Sequence, residues 1–282
     1  MKQQNISRRM VVKSSVFGML AASIPNVLFA KNIVSFTDAE IPASNAARYP
    51  SIDEAVVSEV VGVSHFDLDR LQVLVNARPE LARATWDWAF GDWETAIGAA
   101  SHVGRKDIVT YLITKGARPD IFTFSMLGHY TAVKSMIEST PGVQKIAGPH
   151  GISLLQHAKT GLSSDKNSSA DAKKLVDYLE SLGDADSTVY PAMDEKDSAK
   201  YVGDYKYGTG EKEGFTIKVN MRKLIALGKL GKNGGALYKI GDNQFMYQGT
   251  TSVKISFVIE NDKVISLTVS EPGLTLTAKK IS

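Results

Sequence analysis

The chain of 282 residues contains no cysteine, which excludes a disulfide framework and a lipid-modified N-terminal cysteine. Long apolar runs are also missing. Residues 16–22 form the most apolar stretch near the N-terminus, too short for a spanning helix of ~20 residues, and no later segment is longer. An excess of positive charge is absent once the first 30 residues are set aside. That segment holds Lys2, Arg8, Arg9 and Lys13 and no acid, and the remainder carries 29 basic against 30 acidic residues. Without a basic field or a run of Lys and Arg interleaved with aromatics, nucleic acid is excluded as an expected partner. Signatures of catalysis are scarce too. No G-x-S-x-G elbow and no phosphate-binding loop occurs. The formal S-x-x-K at Ser163 and K-T-G at Lys159 lie in reversed order within a few residues. All five histidines lie in the first 160 residues, and none has the i, i+4 partner of a helical metal motif. The expectation is therefore no catalytic residue, no metal ligand, no cofactor and no enzyme.

What is present falls into two parts. From Thr95 to Asp120, Thr95, Ile97, Ala99, Ala100, Gly104, Ile108, Val109, Leu112, Ile113, Gly116, Ala117 and Asp120 follow a helix-turn-helix pattern. These positions resemble the ankyrin repeat. The resemblance implies a stack of helix pairs that cannot bury its apolar faces singly and that binds other proteins. Related helical rhythms occur at residues 66–75, 128–137 and 151–182, giving about four units over residues 51–187. The step from Gly104 to Gly128 is 24 residues against ~33 in the repeat, so the β-hairpin finger is expected to be missing there.

After residue 198 the helical period is lost. Short β-rich runs alternate with Gly208–Gly210, Asn233–Gly235, Gly241–Asn243, Asn261–Asp262 and Pro272–Gly273 turn signals. About seven or eight antiparallel strands curling into a small barrel are expected over residues 199–282. Tyr201, Gly203, Tyr205, Phe245 and the strand pair around Asn261 resemble a lipocalin-like domain appended to serine β-lactamase-like hydrolases. The fold class expected is thus α+β multidomain, an ankyrin-like helical stack followed by a small antiparallel β-barrel, with linkers at 31–50 and 188–198.

Ser7-Arg8-Arg9 with the following apolar pair and Lys13 resembles a twin-arginine export signal over residues 1–30, with cleavage after Ala30. The resemblance implies an exported, periplasmic protein. Trp86, Trp88 and Trp93 crowd the connection before Thr95, where a finger would project, and His150 lies in a Gly-Pro-His-Gly turn. These four are the candidate partner-contact residues, since tryptophan is enriched in binding hot spots. The alternative for the tryptophans is packing within the stack. His157 takes a position that consensus repeats fill with an apolar side chain, and is expected to be a packed, hydrogen-bonded histidine.

Three functions follow as expectations. The first is a non-catalytic envelope protein that binds a protein partner. The second is a carrier holding a small apolar ligand in the barrel, which requires ~300 Å³ of cavity rather than an interior filled by Phe215, Leu224, Leu237, Phe245 and Phe257. The third is an envelope hydrolase, which requires a Ser or Asp close to a His in space.

Overall fold

Side-chain capping sets most helix starts. Asp53, Asp67, Thr95, Asp120, Ser153 and Ser169 each accept a backbone N–H with their own side-chain oxygen, satisfying donors that the first helical turn leaves unpaired. The helices so begun are α1 (Glu54–Val63), α2 (Leu68–Ala77), α3 (Ala96–His102), α5 (Ile121–Leu127), α7 (Leu154–Ser163) and α8 (Ala170–Leu182). Lys106–Thr114 and Tyr130–Ser139 form α4 and α6 without a side-chain cap. Gly128 and Gly183 close α5 and α8 in the left-handed conformation that glycine adopts without a Cβ penalty.

The computed structural model describes residues 48–164, 169–186, 188, 190, 193–220 and 223–282. Arg8, Arg9 and the cleavage position after Ala30 lie outside them, as does most of the 31–50 linker. Residues 51–282 form one compact unit.

The first helices of successive pairs pack on one another in a row, α1 on α3, α3 on α5 and α5 on α7. Alanines 96, 99 and 100 on α3 are buried and permit close approach. At α7 the approach reaches the backbone, because a Cβ on Gly161 would stand 1.8 Å from the Met126 carbonyl oxygen. Two apolar clusters result, one around Val60, Leu71, Ile97 and Leu112, the other around Leu154, Leu175 and Leu179. The K-T-G triplet thus lies in α7, not on a strand, and Lys159 pairs with Glu180 at 2.8 Å.

One β-hairpin, β1 (Thr85–Asp87) with β2 (Trp93–Thr95), projects before α3. Between α4 and α5 the chain makes no strand, as the short spacing implies. A second small projection closes on an Ala147–Ser153 bridge, with Pro149–Gly151 in a 3₁₀ turn at its tip.

The C-terminal part is an antiparallel barrel of eight strands. In chain order they are β3 (Gly203–Lys206), β4 (Gly214–Val219), β5 (Ile225–Lys229), β6 (Gly235–Gly241), β7 (Gln244–Tyr247), β8 (Thr250–Glu260), β9 (Lys263–Glu271) and β10 (Leu274–Lys280). Sequential neighbours pair, and β10 closes on β3, which leaves no sheet edge. Asn261 and Asp262 join β8 to β9 with positive φ at both positions, the two-residue turn that matches strand twist. A short helix α9 (Glu195–Ala199), capped by Asp194, precedes β3 where the sequence reads as linker. Leu237, Phe245 and Phe257 pack together with Tyr201 and Tyr205, and Phe215 lies against them, so side chains fill the interior. Leu224 is half-buried just before β5.

His157 is fully buried on α7, its Nδ1 2.8 Å from the Ser153 carbonyl and its ring 5.0 Å from Phe122. Burial lowers its pKa to about 4. Between pH 4 and the ordinary value of ~6.5 the unfolded chain holds this proton and the folded chain does not, so folding stability falls as pH drops through that window. The expected loss from this group is on the order of 3 kcal/mol. Denaturant titrations at several pH values check it: the His157→Asn protein should lack this part of the acid-side decline that the unsubstituted protein shows.

Candidate metal centre at the helix-barrel junction

Four side chains far apart in sequence converge beside the hairpin. His65 follows the C-cap of α1, Glu94 stands on β2 opposite Trp86, His102 ends α3, and His150 sits in the Pro149–Gly151 turn. One ligand-type atom from each lies within 4.8 Å of the other three. Glu94 is fully buried and occupies the middle. Its Oε1 is 3.0 Å from His102 Nε2 and 3.4 Å from His150 Nε2, and its Oε2 is 3.4 Å from His65 Nε2. All three imidazoles present the same nitrogen to it.

The opposite nitrogens explain why. His65 Nδ1 lies 3.0 Å from the Gly62 carbonyl, which can only accept, so this nitrogen carries the proton. His150 Nδ1 lies 2.7 Å from Asp92 Oδ2, and its backbone N–H donates to Asp92 Oδ1 at 2.8 Å. Held this way, neutral His65 and His150 would direct Nε2 lone pairs at the carboxylate, an arrangement that a cation, either a proton on His150 or a metal ion, stabilises. A single proton serves one nitrogen. The His102–Glu94 approach lacks hydrogen-bond geometry despite its 3.0 Å separation, and both His102 Nε2 and Glu94 Oε1 are buried without a hydrogen-bond partner. A divalent metal ion would satisfy all four residues together.

The donor set fits such an ion. With metal–nitrogen bonds of ~2.0–2.1 Å, neighbouring ligand atoms of a tetrahedral site stand about 3.3 Å apart. The carboxylate–imidazole contacts of 3.0, 3.4 and 3.4 Å lie near that spacing, and the four ligand atoms fall within 4.8 Å of one another. Three imidazoles with one carboxylate suit zinc and other first-row divalent ions, and the outer partners match the usual arrangement in which the second histidine nitrogen donates to a carboxylate or carbonyl. Trp88 Nε1 donates to Glu94 Oε2 at 2.7 Å, orienting the carboxylate as Asp92 orients His150.

Burial and attraction act against each other here. Burial pushes the Glu94 carboxyl up, but the close His102 and His150 outweigh it and hold it well below the usual carboxylate range. Burial lowers His150, yet Asp92 and Glu94 outweigh it and leave its pKa raised to about 9. For His65 burial prevails over Glu94, and its pKa is lowered.

The barrel completes the surroundings. Gln248, following β7, accepts the Ala236 N–H on Oε1 at 3.0 Å, which fixes its amide with Nε2 directed at Asp92 Oδ2, 3.5 Å away. Gly249 and Gly151 make this approach possible. Both have positive φ, and a Cβ on Gly249 would stand 2.8 Å from Asp92 Oδ1. A cavity of about 300 Å³ opens between His65, Trp88 and His150 on the helical side and Gly234, Gly235, Tyr247 and Gln248 on the barrel side.

The four residues proposed for partner contact take different places. His150 turns into the cluster, Trp88 binds Glu94, and Trp86 packs on the first helical core; Trp93 remains 61% exposed. His65, His102, Glu94 and Asp92 were not singled out by sequence, because their spacing follows no local motif. His129 stacks on Phe124 outside the cluster.

No family model matches the chain, and no curated protein matches it. The established architecture is a multi-helix N-terminal region followed by a closed eight-stranded antiparallel barrel. Two expectations are corrected. The identification as an ankyrin protein acting only by protein binding has no matching family, and the residues before Thr95 serve a buried His and Glu cluster instead. The expectation of no enzymatic activity is overturned by the same cluster, whose geometry is that of a metal or catalytic centre.

Replacing Asp92 with Asn keeps the shape but weakens the acceptor that holds His150 in its ligating tautomer. Metal affinity is expected to fall ~10–100-fold while far-ultraviolet circular dichroism stays unchanged, as measured by competition with a chromogenic chelator.

Proposed function

We propose that the protein is a metal-dependent hydrolase whose centre is formed by His65, Glu94, His102 and His150. The observation that carries this reading is the convergence of three Nε2 atoms and one buried carboxylate beside a cavity of about 300 Å³. A structural zinc site is closed by its four ligands, whereas a catalytic one borders space for water and substrate and can expand its coordination. A bound divalent ion would supply Lewis acidity and a water of lowered pKa. The chain's own residues hold and orient: Asp92 fixes His150, the Gly62 carbonyl fixes His65, and Trp88 fixes Glu94. The Asp92–His150 contact at 2.7 Å also meets the requirement set out for a hydrolase, an acid beside a histidine in space.

In this reading residues 51–187 supply the ligands and residues 199–282 supply the far wall of the cavity. Export across an inner membrane to the periplasm rests on Arg8 and Arg9 with the apolar stretch behind them. Among the described residues no helix is long and apolar enough to cross a membrane.

The reading is tested by calorimetric titration of metal-free protein with Zn²⁺, Mn²⁺, Ni²⁺ and Fe²⁺, followed by hydrolysis assays on chromogenic esters. One ion per chain is expected, with activity lost on chelation and restored on reloading. Glu94→Ala should reduce affinity by more than the ~10–100-fold typical of an outer partner. Absence of stoichiometric uptake of any of these ions contradicts the proposal.

A further inference from the structure

The cavity beside the histidines has two unlike walls. On the helical wall are His65, His150 and the indole of Trp88, which is 38% exposed. The barrel wall is made by Asn233, Gly234, Gly235, Tyr247 and Gln248. Apart from the two histidines and Tyr247, no lining residue is ionisable, and neither Lys nor Arg is among them. Phosphate and carboxylate groups are recognised by Arg, Lys or clustered N–H donors, so away from the His cluster and the ion it would hold this lining offers little to an anionic substrate. It suits an uncharged one with an apolar portion against Trp88.

Tyr247 brings a directed polar group to the same space. Its hydroxyl oxygen accepts the Gly235 N–H at 3.0 Å, and among the described residues its own proton is donated to none. Gly235 is what allows this contact, since a Cβ there would stand 2.3 Å from the hydroxyl. Phe90 packs edge-on against the ring at 4.9 Å and holds it in place. The ring is 1% exposed, and burial raises the phenol to about 12, so it remains a donor at neutral pH.

We infer that the substrate is an uncharged carboxylic ester or amide bound in this cavity, with Tyr247 of the barrel donating its hydroxyl hydrogen bond to the carbonyl oxygen. The inference rests on the metal-dependent hydrolase reading. In the reaction water adds its oxygen to the carbonyl carbon and the bond from that carbon to the ester oxygen or amide nitrogen breaks. The leaving group takes up a proton originating from the water, giving an acid and an alcohol or amine. Negative charge gathers on the carbonyl oxygen as water adds, and a fixed donor there acts chiefly on kcat.

The test uses the full exported chain loaded with the ion it takes up. Rates are compared for 4-nitrophenyl acetate, 4-nitrophenyl phosphate and a 4-nitrophenyl ester bearing a free carboxylate. The neutral ester should be favoured in kcat/KM by roughly 10²-fold, and Tyr247→Phe should lower its kcat by a similar ~10²-fold with KM and metal stoichiometry unchanged. Asn233→Arg, on the exposed rim, gives a second reading that does not disturb the buried ring: it should shift preference toward the carboxylate-bearing ester. A preference of the unsubstituted protein for either charged ester, wild-type kcat in folded Tyr247→Phe, or an unchanged preference in Asn233→Arg overturns the inference. Metal uptake without turnover of any ester overturns it while leaving the metal centre standing; failure of metal uptake removes both.

Discussion

A carboxylate without exposed surface must be compensated where it lies, because the cost of burying an unpaired charge exceeds the stability of most domains. Glu94 is such a carboxylate, and the surrounding structure is arranged about it. The indole of Trp88 supplies one hydrogen bond, and three imidazoles face the remaining lone pairs. That balance stays incomplete with protons alone, since His102 Nε2 and Glu94 Oε1 remain unpartnered. A metal ion bound there would complete it.

Each protein element contributes one constraint. The Thr95 cap starts α3 directly after Glu94 and so fixes the carboxylate relative to His102 at the helix end. The left-handed turn at His150 turns its ring inward, while Gly151 and Gly249 allow the barrel rim to reach Asp92. Gln248 then ties barrel to cluster through Asp92. All four cluster residues come from the helical part, while the barrel supplies Gln248 against Asp92 and the far wall of the cavity. The filled barrel interior adds that the space for a ligand lies at the junction, where ligands and donor groups face each other.

The sequence made local features legible because their causes are local. Helix periods, the Asp, Ser and Thr caps, the Asn261–Asp262 turn and the strand-rich composition after residue 198 each announce themselves within a few residues, and the helices and eight strands follow. His157 could be read as a packed core histidine because it occupies an apolar helical position. The cluster could not be read in this way. Its members come from a helix end, a strand, a second helix end and a 3₁₀ turn, and no spacing rule links His65 to His150. Two weaker signs were present: every histidine lies in the helical part, and the acids Asp92 and Glu94 alternate with tryptophans in one short connection. The latter reads as a contact patch by sequence because tryptophan dominates binding surfaces. Only the fold reveals that Trp88 turns its indole nitrogen to Glu94, that Trp86 packs on the helices and that Trp93 is the most exposed of the three.

The claim on which the account stands is that three imidazoles and one carboxylate bind a single divalent ion. X-ray absorption at the metal edge of the loaded protein reads the coordination directly. The account requires multiple-scattering features of about three imidazoles with nitrogen and oxygen at ~2.0–2.2 Å, and loss of one imidazole in His102→Ala. A shell of water oxygens without imidazole scattering, or a spectrum unaffected by that substitution, would contradict it.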